Sequence, residues 1–198
     1  WNEKMNLTAI TDKKDVYLKQ FYDSLTISRV INLNDVDSLC DIGTGAGFPG
    51  VVLKIFFPNI HLTLIDSLKK RTCFLNEVIR ELELENVQTI HARAEEYAVT
   101  NREKFDLVTA RAVSSLNVLL EYSIPIVKTG KYFLAMRGIN DFASGENAMK
   151  ILNCDVIRLD EFLLPVEGSA RTLIVFKKKD KTVLKFPRKN SIIKKLPL

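Results

Sequence analysis

Short apolar runs alternate with helical periodicities along most of the chain, and this order predicts an α/β fold. Apolar runs of strand length occupy 36–42, 60–65, 87–91, 105–109 and 132–136. The spacing predicts helices that end at Phe57, cover 67–84, begin at Ala94, cover 114–127 and cover 139–152. Strands that alternate with helices form a parallel sheet with helices on both faces and right-handed crossovers.

The two ends of the chain depart from this alternation. Residues 1–32 carry apolar positions at mixed helical spacing and predict a helical N-terminal segment. The runs 154–164 and 171–178 predict two strands, and the loop between them is too short for a parallel crossover. The expected fold is therefore a doubly wound, mostly parallel seven-stranded sheet that closes with a C-terminal antiparallel hairpin. It forms one domain with a helical segment (1–33), a Rossmann-like core (34–180) and a basic tail (181–198).

Composition agrees with a globular protein of one domain. The chain has 198 residues, of which 46% are hydrophobic and 27% charged. No apolar run reaches the roughly 18–20 residues of a membrane span, and the N-terminus lacks the features of a signal peptide, so a cytoplasmic protein is expected. The chain starts at Trp1 rather than Met, so we expect that an upstream segment is missing or processed.

The cysteines and histidines give no sign of a metal site or a disulfide. Cys40, Cys73 and Cys154 are scattered, without a C-x-x-C motif, and are expected to be reduced thiols in the core. His61 and His91 lie on predicted strands with no acid or Cys at ligand spacing, and half-buried strand positions are expected for both.

The net charge of +5 favours a polyanionic partner without proving one. The positive residues concentrate at the C-terminal end, from Lys177 to Lys195. Taken alone, a basic tail of this kind is more often a solvated segment than a binding element.

A glycine-rich motif follows the first predicted strand and opens a helix, the context of a nucleotide-binding loop. The stretch 41–50 (DIGTGAGFPG) fits two fingerprints. Gly45, Gly47 and Gly50 match the NAD pattern G-x-G-x-x-G, whereas Asp41 followed by Gly43, Gly45 and Gly47 matches the pattern of S-adenosylmethionine-binding proteins.

Asp41 favours S-adenosylmethionine over a dinucleotide. A carboxylate before the first glycine can reach the cationic amino-acid part of S-adenosylmethionine, whereas it would repel the pyrophosphate of NAD. Pro49 also removes an N–H group from the helix start that would bind a pyrophosphate. A doubly wound sheet with a C-terminal antiparallel hairpin is, in addition, the usual architecture of class I methyltransferases.

Four further residues lie at the carboxyl ends of three other predicted strands. Asp66 ends the second strand and suits the ribose hydroxyls of either cofactor, although it also suits a helix cap. Ala94 and Glu95 follow the third strand and suit an adenine amino group, although a glutamate at a helix start is common. Arg111 ends the fourth strand, where it could bind the methionine carboxylate, an RNA phosphate or a structural acid.

These residues resemble the bacterial ribosomal RNA small subunit methyltransferase G family, also called glucose-inhibited division protein B. The resemblance covers nearly the whole chain. Its marks are Trp1-Asn2, Asn6-Leu7-Thr8, Ile10, Asp23-Ser24-Leu25, 41–49, Asp66-Ser67, Lys70-Arg71, Phe74-Leu75, Arg93-Ala94-Glu95-Glu96, Ala110-Arg111-Ala112, Pro187-Arg188-Lys189, Lys195 and Pro197.

The resemblance implies methylation of N7 of a guanosine in 16S ribosomal RNA near the decoding centre, with S-adenosylmethionine as the cofactor. It implies that Gly43, Phe48, Ala94, Glu95 and Arg111 line the cofactor site and that the basic tail faces RNA. The sequence departs from the family where Gln20 stands in place of His and where 190–193 (NSII) replaces Pro-Gly-x-Pro.

Guanine N7 is a neutral lone-pair nucleophile, so the reaction needs orientation and electrostatics rather than a general base. Arg111 is therefore the one candidate for a catalytic residue, and it is expected to contact the cofactor carboxylate or the RNA backbone rather than the reacting ring. The predicted cofactor residues are Asp41, Gly43, Gly45, Gly47, Phe48, Asp66, Ala94, Glu95 and Arg111. The predicted RNA contacts are Lys69, Lys70, Arg71, Arg137, Arg171, Arg188, Lys189 and Lys195.

The expected partner is 16S ribosomal RNA or the small ribosomal subunit, bound by a monomer without a stable protein partner. Two alternatives remain open at this point. One is an NAD(P)-dependent oxidoreductase built on the same glycine loop, and the other is an RNA-binding module that keeps the fold without turnover.

Overall fold

The computed structural model describes residues 1–111, 113–138 and 142–198. Within these ranges the strands are β1 (Ser38–Ile42), β2 (His61–Asp66), β3 (Val87–His91), β4 (Phe105–Arg111), β5 (Val127–Arg137), β6 (Cys154–Leu163) and β7 (Ala170–Lys178). The helices are α1 (Asn2–Met5), α2 (Lys13–Val16), α3 (Asp23–Leu25), α4 (Gly50–Phe56), α5 (Lys69–Glu81), α6 (Ala94–Thr100), α7 (Leu116–Ser123), α8 (Glu146–Leu152) and α9 (Asn190–Lys195).

The strands form one mixed sheet in the order β3-β2-β1-β4-β5-β7-β6. The first five strands are parallel, and β7 pairs antiparallel with both β5 and β6. The chain order reverses between β1 and β4, which is where ligands bind in open α/β sheets, beyond the carboxyl ends of the strands. The predicted parallel core and the antiparallel hairpin are both confirmed.

The two faces of the sheet are covered by separate apolar layers, because alternate side chains on each strand point to opposite faces. Leu39, Leu62 and Leu107 pack with the N-terminal segment, α4 and α5 on one face. Cys40 and Val108 pack with α6, α7 and α8 on the other. Every one of these five side chains is essentially inaccessible to solvent.

The N-terminal segment is less continuous than its periodicity predicts. The chain is helical over 2–5 and again from Lys13 to Arg29, where α2, a π-helical turn (Tyr17–Tyr22), α3 and a 3₁₀ turn follow one another. Residues 6–12 form no helix. The side-chain oxygen of Asn2 accepts hydrogen bonds from the N–H groups of Leu7 and Thr8 at 2.8 and 2.9 Å, so these groups do not bond to helix carbonyls. The prediction of a helix over all of 1–32 is therefore wrong for 6–12, and also for 30–32, which follow the 3₁₀ turn.

Other elements agree with the sequence pattern within a few residues. Strand β3 has the predicted limits, whereas β5 begins at Val127, five residues before the apolar run that predicted it. The helix predicted over 139–152 is present as a 3₁₀ turn at 142–145 followed by α8, and residues 139–141 lie outside the described part of the chain.

Two predictions about burial are wrong. Cys40 and Cys154 are buried as expected, and burial raises the pKa of Cys154 to about 12, but Cys73 is exposed on α5. His61 and His91 are exposed rather than half-buried, because they occupy the two ends of strands in the outer half of the sheet. None of the helices in the described ranges has the length and apolarity of a membrane span.

Candidate functional site

The glycine loop between β1 and α4 is held by two buried carboxylates. Asp41 lies beneath the loop and accepts hydrogen bonds from Thr44 Oγ1 at 2.7 Å and from the N–H of Gly50 at 3.0 Å. Asp66 lies beside it and accepts the N–H of Gly45 at 3.0 Å. Both carboxylates are almost fully buried, so the loop is fixed from below by side chains at the ends of β1 and β2.

Gly47 shows why this loop needs glycine. Its φ of +95° is unfavourable for residues with a side chain, and a Cβ atom there would lie 2.6 Å from Val51 Cγ2. The φ angles of Gly43 and Gly45 are also positive. The loop can therefore turn sharply and present backbone, rather than side chains, toward the carboxyl ends of the strands.

Asp41 is turned toward the start of α4 and does not line a cleft. Burial raises its pKa to about 6, against the hydrogen bonds from Thr44 and Gly50, which lower it. Its oxygen Oδ1 has no partner among the described residues. The geometry therefore supports a role for Asp41 in fixing the loop, and direct contact with a ligand stays a prediction.

The raised pKa of Asp41 leads to a pH prediction. Because its pKa is higher in the folded protein than in the unfolded chain, the folded state binds the proton more tightly, and its stability falls as the pH rises through this range. From about pH 3.5 to 7, the free energy of unfolding of wild type should fall by about 3 kcal/mol relative to Asp41→Asn. Urea unfolding across this range measures the difference, and parallel curves for the two proteins would contradict it.

A first cleft opens above the carboxyl ends of β1, β2 and β3. It is lined by Ile42, Gly43, Ile65, Asp66, Ser67, Ala92, Arg93, Ala94, Glu95, Val113, Ser114, Tyr122, Asn190 and Lys194. Four of the predicted cofactor residues, Gly43, Asp66, Ala94 and Glu95, therefore come together although they lie on three separate strand ends.

Two acidic side chains, Asp66 and Glu95, line the first cleft. Asp66 also accepts the N–H of Leu68 at 2.9 Å and pairs with Arg71 at 3.2 Å. Glu95 is 6% exposed, and within the described part of the chain its oxygen Oε1 has no hydrogen-bond partner. Burial raises the pKa of Glu95. A buried, unpaired acceptor at the edge of a cleft is suited to a donor group on a ligand.

A second cleft lies across the carboxyl ends of β4 and β5, under the N-terminal segment. It is lined by Ile10, Lys19, Gln20, Asp23, Arg111, Met136, Arg137, Gly138 and Arg171. The two clefts are neighbours, because Arg137 of the second cleft donates to the carbonyl of Ser114 in the first at 2.5 Å. Four cations and one carboxylate line the second cleft, and one of the cations, Lys19, is also paired with Asp15 and Glu167 at 3.0 and 2.5 Å.

Arg111 is held by the N-terminal segment. Its guanidinium donates to the side-chain carbonyl of Gln20 and, at 3.1 Å, to the backbone carbonyl of Lys19. Asp23 lies 3.7 Å from the same group, and the ring of Phe48 lies 5.5 Å from it. Burial lowers the pKa of Arg111, and Asp23 opposes this effect.

Gln20 and Asp23 are functional candidates that the sequence pattern missed as partners of Arg111. They precede it by 91 and 88 residues, so nothing local in the sequence indicated the contact. Asp23 is also bound by Arg171 at 3.0 Å, whereas its oxygen Oδ1 has no partner within the described ranges. Gln20, which stands where the resembling family has His, thus accepts a hydrogen bond from Arg111 at the end of β4.

Seven of the eight predicted RNA contacts separate into two groups, and the eighth, Arg137, lines the second cleft. Lys69, Lys70, Lys189 and Lys195 are exposed. Arg71, Arg171 and Arg188 are instead paired with buried carboxylates, those of Asp66, Asp23 and Glu121. Arg188 is the clearest case, because its guanidinium nitrogens Nε and Nη2 and its backbone N–H all donate to the fully buried carboxylate of Glu121. A phosphate contact by Arg188 would have to replace this pair.

The basic residues at the C-terminal end also include both exposed and buried side chains. Lys178 is completely buried and donates to the carbonyls of Ile124 and Val127 at 3.1 and 2.9 Å. It lies at the amino edge of the parallel strands, opposite both clefts. The expected cluster of exposed charge from Lys177 to Lys195 is therefore wrong for this residue.

Comparison with known proteins places the chain among ribosomal RNA methyltransferases. A family model described as rRNA small subunit methyltransferase G matches residues 1–163. The ribosomal RNA small subunit methyltransferase G of Bacillus pumilus (strain SAFR-032) is 46% identical over 203 residues, covering 100% of this chain and 85% of that protein. The protein of the same name from Exiguobacterium sp. (strain ATCC BAA-1283 / AT1b) is 48% identical with the same coverage.

Solved structures share the fold at low sequence identity. A SAM-dependent methyltransferase from Aquifex aeolicus matches with a TM-score of 0.64 and 16% identity, covering 86% of this chain and 96% of that chain. A SAM-dependent O-methyltransferase from Thermotoga maritima matches with a TM-score of 0.63 and 14% identity, covering 91% of this chain and 71% of that chain. The expected class of fold is confirmed.

Proposed function

Because the chain belongs to the rRNA small subunit methyltransferase G family, we propose that it transfers a methyl group from S-adenosylmethionine to N7 of a guanosine in 16S ribosomal RNA. The observation that carries this proposal is the alignment of the whole chain with proteins of that name at 46% identity. An RNA substrate of the ribosome also supports the cytoplasmic location expected from the sequence.

The first cleft fits the nucleoside part of S-adenosylmethionine. The unpaired oxygen of Glu95 is available to the adenine amino group, and Asp66, at the end of β2, is placed for the ribose hydroxyls. There is open space beside Gly45 for a ligand atom. A Cβ atom built on this glycine would have only one neighbour within 4 Å, the carbonyl oxygen of Gly43 at 3.9 Å. These features support the cofactor that the glycine motif favoured.

The same geometry argues against a dinucleotide. A pyrophosphate binds free N–H groups at a helix start, but the N–H of Gly50 at the start of α4 is already bound to Asp41. The buried carboxylate would also repel a second anion. The oxidoreductase alternative is therefore disfavoured by structure as well as by family membership.

The second cleft supports binding of the target nucleotide. Arg111 and Arg171 share the single carboxylate of Asp23 in this cleft, so the pair keeps a net positive charge that would attract the RNA backbone. The unpaired Oδ1 of Asp23 is an acceptor of the type that binds the N1–H and amino group of guanine.

In this arrangement the protein acts by alignment. When bound, S-adenosylmethionine supplies the methyl group from its sulfonium. Guanine N7 attacks with a lone pair and has no proton to lose, so the residues of the clefts need only orient it and exclude water. Gln20 and Asp23 hold Arg111 on the side of the N-terminal segment, which supports the prediction that it does not contact the reacting ring.

A methyl-transfer assay tests the function directly. Small subunits and bare 16S RNA that lack the modification are incubated with the protein and radiolabelled S-adenosylmethionine, and the labelled nucleoside is identified. N7-methylguanosine supports the proposal, and its site in the RNA and the better substrate follow from the same experiment. Label in another nucleoside would contradict the proposal, and so would calorimetry that shows tighter binding of NAD than of S-adenosylmethionine. Binding of the RNA without methyl transfer would favour the RNA-binding module.

The salt dependence of RNA binding tests which cations contact phosphate. Replacing Lys69, Lys70, Lys189 and Lys195 together by Ala should reduce the slope of log affinity against log salt by about 3, because each phosphate contact contributes about 0.7–0.9. Lys104→Ala is the control, because this exposed lysine precedes β4 at the opposite edge of the sheet. An unchanged slope in the quadruple variant would remove these lysines from the RNA interface.

A further inference from the structure

The tail (residues 181–198) packs against the body of the protein and passes beside the first cleft. It returns along α7 from the amino edge of the sheet to the carboxyl edge. Arg102 donates to the carbonyls of Thr182 and Phe186 at 2.5 Å each. At the other end, Asn117 donates to the carbonyl of Leu198 at 3.2 Å.

Buried anchors hold the tail in this position. Ile193 is completely buried and packs against Val118 and Tyr122 of α7, and Phe186 joins the core on the same face of the sheet. Between them, Arg188 forms a bidentate pair with Glu121. The tail is therefore a packed part of the fold, and its side chains have fixed positions relative to the cleft.

Two tail residues line the first cleft together with Glu95. Asn190 accepts a hydrogen bond from the hydroxyl of Tyr122 at 2.9 Å through its side-chain oxygen. This contact fixes the amide, whose nitrogen has no acceptor within the described residues. Lys194 lines the same wall, and its charge partly offsets the cost of burying Glu95.

We propose that the tail forms one wall of the adenine pocket, in which Asn190 donates a hydrogen bond to a ring nitrogen of the adenine while Glu95 accepts one from its amino group. The edge of adenine presents a donor next to an acceptor, and a carboxylate with an amide nitrogen matches this pair. The inference rests on the proposed function, since it places S-adenosylmethionine in the first cleft. Asn190 stands where the resembling family has Pro, so this contact would be a property of the present chain.

Titration calorimetry with S-adenosylhomocysteine on the full chain tests the proposal. Asn190→Ala should weaken binding about fivefold to tenfold, as expected for one lost hydrogen bond. Ser191→Ala and Lys181→Ala serve as matched controls, since both residues are exposed parts of the tail and neither lines the cleft. We expect wild-type affinity for both controls.

The inosine counterpart of S-adenosylhomocysteine separates recognition from packing. It carries a carbonyl in place of the amino group and N1–H in place of the ring acceptor. Wild type should prefer the adenosine form, and Asn190→Ala should reduce this preference about fivefold, because the lost donor affects only the adenosine form. An equal loss of affinity for both ligands would overturn the inference and leave the tail a packing element.

The results also distinguish this inference from the proposed function. If wild type binds neither S-adenosylmethionine nor S-adenosylhomocysteine, the proposed function fails. If wild type binds S-adenosylhomocysteine and Asn190→Ala binds both ligands as wild type does, the inference fails and the proposed function stands.

Discussion

Asp66→Ala is expected to lower the affinity for S-adenosylhomocysteine about 100-fold or more, the loss of two hydrogen bonds to a charged acceptor. The carboxylate also accepts the N–H groups of Gly45 and Leu68 and pairs with Arg71. Its removal therefore leaves an unpaired N–H in the glycine loop and a cation without its partner. Methyl transfer at limiting cofactor should fall by the same factor.

Calorimetry measures the affinity, and thermal unfolding shows whether the variant is folded. Glu96→Gln is the control, because this exposed carboxylate lies near the cleft without lining it. Asp66→Asn keeps the shape of the side chain but not its charge, so its affinity for S-adenosylhomocysteine should lie between those of wild type and Asp66→Ala. An affinity within threefold of wild type for Asp66→Ala would exclude Asp66 from the cofactor site.

Arg188→Ala should destabilise the protein by about 3–5 kcal/mol, because it leaves a buried carboxylate without its partner. The carboxylate of Glu121 is completely buried and is bound by Arg188 at 2.8 and 2.6 Å. A purely RNA-facing arginine would instead leave stability unchanged and reduce the salt slope of RNA binding by about 0.7–0.9. The two roles thus predict opposite outcomes in two separate measurements.

Urea unfolding gives the free energy, with Arg29→Ala as the control. Arg29 also pairs with an acid, Asp160, but its side chain is 48% exposed, so its loss should cost less than about 1 kcal/mol. Adding Glu121→Gln to Arg188→Ala should recover part of the stability, because the unpaired charge is removed. If Arg188→Ala unfolds at the same urea concentration as wild type, the tail is not anchored through this pair.

The parallel core was predictable because each strand carries its own local signal. The run 87–91 has the limits of β3, and the glycine motif between β1 and α4 follows from its spacing. Asp66 and Glu95 were predictable as cleft residues for the same reason, since position at the carboxyl end of a parallel strand is a property of the order of elements.

The remaining parts depend on contacts between distant segments. Glu121 lies on a predicted helix among apolar residues, and its partner follows 67 residues later. The Gln20–Arg111 contact spans 91 residues. The exposed charge pattern of the tail gives no sign of its apolar anchor Ile193, which packs only once α7 is in place. These contacts form only in the folded protein, between segments far apart in the chain, so local sequence patterns could not predict them.

The position of β7 between β5 and β6 has a consequence for how the sheet is assembled. Strand β6 is made before β7 but pairs only with β7 in the described structure. The edge of β5 therefore stays unpaired until β7 has been made. The backbone N–H groups of β6 are protected against amide exchange only once β7 pairs with them. We expect the pairing of β7 with β5 and β6 to complete the sheet, because any state in which β7 is unpaired exposes a sheet edge through which two chains could associate.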